Sequence, residues 1–163
     1  MNLYLRIRSE EVIADLRSAA WLESELHPEL DRHRRHEMAD ICEEDNIERV
    51  WRVLGIAASQ VRLSLQKILC LQKPYSPEND LEQPESWEFH FKFPLQKSTL
   101  SFIKEKIHEY FVAVVMSERC AVIISKAAGT WKERADASLA ELKTLATTWH
   151  PPHSHVRRPL WPL

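Results

Sequence analysis

His33-Arg34-Arg35-His36-Glu37-Met38-Ala39-Asp40 is the densest run of residues able to ligate a metal. On a helix, His33, His36 or Glu37, and Asp40 project from one face, and imidazole with carboxylate suits zinc or iron. A di-metal site in a helix bundle draws carboxylates from several helices and needs two Glu-x-x-His motifs. Only Glu105-Lys106-Ile107-His108 matches. Arg32, Arg34 and Arg35 would repel a dication on that face, so the stretch reads first as a solvated polar helix. His150, His153 and His155 lie near the carboxyl end with no carboxylate beside them, a poor basis for a built site. A metal-dependent helical-bundle enzyme using His33, His36, Glu37, Glu105 and His108 is therefore the alternative, not the leading reading.

Nucleophilic and phosphate chemistry fares no better. The chain has 163 residues and only two glycines, Gly55 and Gly129, where average usage of about 7% would give roughly eleven. Phosphate-cradling loops, dinucleotide fingerprints and nucleophile elbows need closely spaced glycines for sharp turns and close backbone approach. None is present. Cys42, Cys70 and Cys120 are odd in number, lack C-x-x-C spacing and sit among apolar neighbours. Such thiols behave as small hydrophobes, with pKa values raised by their surroundings. No catalytic residue and no cofactor is expected.

Composition points to one domain with a core: 44% hydrophobic, 28% charged, net charge −2. That balance argues against a whole-surface nucleic-acid binder. Charge reaches the amino terminus at Arg6, too early for a signal peptide. The longest apolar run, Tyr110–Met116, is seven residues, far short of the ~20 that a membrane helix needs. A cytoplasmic chain is expected, or a virion one if it derives from a phage.

The elements that would position these residues follow from periodicity. Leu3, Leu5 and Ile7 alternate with polar residues, as do Trp87, Phe89, Phe91 and Phe93. Period two predicts half-buried strands over 3–8 and 87–93 that pair with each other or with a neighbouring copy. Elsewhere the spacing is helical. Ser9 before Glu10 and Glu11 predicts a capped helix running to Pro28, with Val12, Ile13, Leu16, Ala20 and Leu26 on its apolar side. A polar helix follows from about Pro28. Asp45-Asn46-Ile47-Glu48 resembles a capping box opening an apolar stripe from Ile47 to Leu69. Residues 98–128 read as a buried central helix, with a strand pair at 110–125 as the competing reading. Gly129 is expected to break the chain before a last helix launched by Thr130-Trp131-Lys132-Glu133. The predicted fold is mainly α, four to six helices with a small two-stranded β element, packed around the apolar faces of 46–71 and 98–128.

Residues 1–148 are expected to form one helical domain with a Pro-rich acidic loop at 72–86. Residues 149–163 carry four prolines and read as an extended arm or a disordered end. Arg32, Arg34 and Arg35 form a basic cluster followed closely by Asp40, Glu43, Glu44, Asp45 and Glu48. These acids suit the start of the next helix through its dipole. The opposed patches would also permit head-to-tail contact between subunits. Helices around one long apolar helix, a strand pair and a terminal arm resemble small bacteriophage head–tail connector or neck proteins. The resemblance is one of layout and implies a ring-forming, non-enzymatic virion-assembly protein with protein partners or self-association. It also implies contacts through Arg157, Arg158, Trp161 and the 72–86 loop. A nucleic-acid accessory role through Arg32, Arg34 and Arg35 is a further alternative.

Overall fold

The computed structural model describes residues 2–70 and 83–149. Strand β1 (Asn2–Arg8) leads into helix α1 (Ser9–Leu26), then α2 (Arg32–Ala39) and α3 (Glu44–Ser64). Strand β2 (Ser86–Leu95), α4 (Lys97–Ile123) and α5 (Ser125–Thr148) complete the described chain. The expected class is observed: five helices and a two-stranded antiparallel sheet among the described residues.

The strands pair as their alternation requires, with Leu5 opposite Phe89 and Ile7 opposite Trp87. Leu5, Ile7, Trp87, Phe89 and Phe91 are buried on the inner face. Outside, Arg6 faces Glu88 across the ladder at 2.6 Å. The far edge of β2 is covered too. Leu69 bridges Phe91, Cys70 N–H donates to the His90 carbonyl at 2.7 Å, and Lys92 N–H donates to the Ile68 carbonyl at 2.9 Å. The stripe expected to stay helical to 71 therefore leaves the helix after Ser64. Leu65, Ile68 and Leu69 remain buried, but against the sheet edge, so their apolar spacing persists after the helix has ended.

Helix α4 is the axis of the fold and packs against α1, α2, α3, α5 and β1. Its 27 residues span about 40 Å. Ile103, Ile107, Phe111, Met116 and Cys120 are fully buried, which outweighs the weak helix propensity of its valines and excludes strands at 110–125. Side-chain pairs give the directions. Glu11–Lys104 and Asp15–His108 make α1 parallel to α4. Asn46–Arg119 with Gln60–Tyr110 make α3 antiparallel, and Glu141–Lys106 makes α5 antiparallel. The sheet closes one end, where Trp87 meets Phe111 edge-on at 4.9 Å and Trp51 at 6.1 Å. At the same end Trp149 stacks on Phe93 at 5.3 Å.

Helix starts differ from the expected caps. Ser9 is the first helical residue of α1, and its hydroxyl donates to the Glu85 carbonyl at 2.9 Å instead of capping. The polar helix starts at Arg32, not Pro28, with Asp31 accepting from Arg34 N–H at 2.8 Å. Glu43, not Asp45, precedes α3 and makes no side-chain cap. The α4–α5 break falls at Ile124 (φ −134°, ψ 74°), leaving Gly129 and Thr130 inside α5. The φ of Ile124 is negative, outside the left-handed region that favours glycine, so this corner needs no glycine. Residues 71–82, which include most of the 72–86 loop, and 150–163 of the arm lie outside the described residues, and Ser86, expected in the loop, opens β2.

Candidate interaction groove

Helices α1 and α5 both rest on α4, and a groove of about 330 Å³ opens between the end of α1 and the start of α5. One wall comes from Glu23, Leu26 and His27. The other comes from Lys126, Ala127, Thr130, Trp131 and Arg134, which recur at steps of three and four on one face of α5. The α4–α5 corner at Ile124 sets that face against α1.

Pro28 shapes the first wall. A residue before proline is driven out of the helical region, and His27 ends α1 at φ −117°, ψ 71°. There its Nδ1 lies 2.8 Å from Glu29 Oε1 and its Nε2 3.4 Å from Glu23 Oε1. The Glu29 hydrogen bond, with help from Glu23, holds the imidazole pKa above its ordinary value against some desolvation. His27 in turn holds the Glu29 carboxyl below the usual range. The acids of this wall are thus engaged. On the second wall the Arg134 guanidinium stands 4.8 Å from the centre of the Trp131 ring, a cation–π arrangement. Leu26 on the α1 wall is 70% exposed, and Trp21 (57%) and Leu22 (53%) are exposed elsewhere on the same helix.

The residues singled out by sequence are dispersed. His33 Nε2 and Glu37 Oε1 are 3.7 Å apart on the exposed face of α2, where His36 is exposed as well. On α4, Glu105 is exposed, while His108 Nε2 meets Asp15 Oδ2 at 2.6 Å and ties α4 to α1. Among the described residues no three His, Cys, Asp or Glu side chains are placed to hold a metal ion. Arg32 and Arg34 are exposed, whereas Arg35 Nε donates to the Leu30 carbonyl at 3.2 Å. Arg157, Arg158, Trp161 and the three tail histidines lie outside the described residues.

The thiols match their apolar contexts. Burial pushes Cys120 up to about 12 and raises Cys42, with Arg17 opposing the rise at Cys42. Cys70 is partly exposed, and none of the three is in a disulfide. Arg119 does structural duty. It donates to the Glu37 carbonyl and, at 3.3 Å, to Asn46 Oδ1, pinning the α2–α3 turn onto α4. A void of about 20 Å³ lies beside it.

Sequence reasoning did not reach the groove. Leu26 counted as part of the core stripe of α1, and Trp131 only as part of a helix start. Among the described residues no helix is long and apolar enough to cross a membrane. The groove presents cations, an indole face and aliphatic side chains, a set suited to holding an amphipathic acidic surface. In comparison with protein-family models, curated proteins and solved structures, the chain finds no match.

Proposed function

We propose that this chain is a non-enzymatic structural protein that self-assembles and works by contact with other protein chains, as a component of a phage or prophage assembly of the head–tail connector kind. The observation that carries this reading is the α1–α5 groove, lined by the exposed Leu26, together with Trp21 and Leu22 exposed elsewhere on α1. Each such side chain contributes about 1.5–3 kcal/mol when fully removed from water, so a partner that covers them is favoured. Tryptophan and arginine, paired here as Trp131 and Arg134, dominate the energetics of protein interfaces. The exposed Arg32 and Arg34 of α2, with Arg35, Arg157, Arg158 and Trp161, are further proposed contacts. Sedimentation velocity on the full chain tests the reading, with Trp131→Ala and the triple variant Arg157→Ala/Arg158→Ala/Trp161→Ala alongside. Self-association of the wild-type chain that weakens in at least one variant is expected. A strict monomer at every concentration overturns the proposal.

A further inference from the structure

The fold places two surfaces rich in opposite charges on one chain. In the groove, Lys126 and Arg134 are exposed and form no ion pair among the described residues. Glu23 and Glu29, the carboxylates beside them, are turned to His27. Lys126 also helps hold the Glu29 carboxyl low, and the exposed Arg134 and Lys126 stand beside the apolar Leu26, Ala127 and Trp131. The turn from α2 to α3 is the converse. Asp40, Glu43, Glu44, Asp45 and Glu48 are all exposed, and none has an ion-pair partner among the described residues. Of the nearby cations, Arg49 faces Glu118 at 3.6 Å, and Arg119 donates to the Glu37 carbonyl and to Asn46 Oδ1.

The two surfaces have a definite spatial relation. α1 touches α2, α2 touches α4, and α3 touches both α4 and α5. The helices thus run α1, α2, α3, α5 around α4, and the groove is the open seam between the last and the first. The acidic turn sits at the α2–α3 seam, on the opposite flank of α4. Both lie toward the carboxyl end of α4, since the turn is pinned to Arg119 and the groove begins at Lys126. Unlike patches on opposite flanks cannot satisfy each other within one molecule, nor across a two-fold axis in a single self-complementary patch. They can satisfy each other by head-to-tail repetition, which closes into a ring or runs on as a filament.

We infer that the α1–α5 groove is the receiving half of a heterologous self-contact whose occupant is the acidic α2–α3 turn of a second copy of this chain. Lys126 and Arg134 meet Glu44 and Glu48 of the neighbour, while Leu26 and Trp131 are covered in the same step. This inference rests on the assembly reading and names its interface.

Charge reversal tests it on the full chain by sedimentation equilibrium. Lys126→Glu/Arg134→Glu sets an acidic groove against an acidic turn, and Glu44→Lys/Glu48→Lys sets basic against basic. Each double variant alone is expected to raise the dissociation constant for self-association at least about 30-fold. An equimolar mixture of the two is expected to restore assembly, because every groove then finds a turn of opposite charge. Far-UV circular dichroism checks that each variant is folded. Lys126→Gln/Arg134→Gln replaces the first variant if reversal there prevents folding, with a smaller weakening expected. Wild-type assembly that neither double variant weakens, or a mixture that fails to reassemble, overturns this interface and leaves the assembly reading standing. A wild-type chain that stays monomeric overturns both.

Discussion

Trp87 offers a demanding check on the packing. It is 2% exposed, wedged between Phe111 and Trp51, and its indole Nε1 finds no acceptor among the described residues. Trp87→Ala empties the junction between sheet and α4 and is expected to cost about 3–5 kcal/mol. For a chain of this length each kcal/mol corresponds to roughly 2–4 °C, so the midpoint falls by about 6–20 °C. Trp87→Phe is a different perturbation. It removes about three buried heavy atoms, worth roughly 2 kcal/mol at ~0.8 each. It also removes an unpaired buried donor, whose desolvation costs about 1–3 kcal/mol. The two nearly cancel, and Trp87→Phe is expected within about 1 kcal/mol of wild type, or about 4 °C. Thermal unfolding followed by circular dichroism, with guanidinium titration for the free energies, measures both. If Trp87→Phe is as damaging as Trp87→Ala, the indole N–H is satisfied and the reasoning fails.

Three further predictions concern single positions. Gly129→Ala is expected to stabilise by about 0.5–1 kcal/mol, because Gly129 lies inside α5 and an added Cβ meets nothing within 4 Å; a lowered melting temperature would put the break back at Gly129. Because its carboxylate partners raise His27, their stabilisation is full below the ordinary imidazole pKa and fades as pH rises through the raised one. An NMR titration should find His27 above the ordinary value and falling toward it in Glu29→Gln; a value at or below it in the wild type contradicts the geometry. Cys120, fully buried and pushed up to about 12, should resist iodoacetamide in the native state while the partly exposed Cys70 reacts first. Mass spectrometry of the labelled peptides reads the order, and prompt labelling of Cys120 would refute the burial.

Features carried by local periodicity were legible in the sequence. The strand pair followed from the alternation at Leu3–Ile7 and Trp87–Phe93, and α4 from apolar residues spaced over many turns. Boundaries were harder. The α4–α5 corner at Ile124 keeps a negative φ, so no glycine or proline announces it, while Gly129 punctuates nothing. Ser9 caps no helix because a tertiary acceptor, the Glu85 carbonyl, claims its hydroxyl. The stripe through Leu69 ran past the helix because a sheet edge buries the same residues as a helix face would. The groove was invisible for a different reason. Its walls are separated by about a hundred residues in sequence. Of the contacts named from sequence, the basic cluster on α2 is partly spent within the fold, Arg35 being tied to Leu30. The acids after it, read first as helix-start residues, are exposed on the surface.

The claim that this chain acts by contact with its own copies is tested most directly by static light scattering on the full wild-type chain from micromolar to near-millimolar concentration. The account predicts a weight-average mass that climbs from 19.1 kDa toward multiples of it, and that falls back as salt weakens the pairing of groove and turn. A mass fixed at 19.1 kDa across the whole range would contradict it.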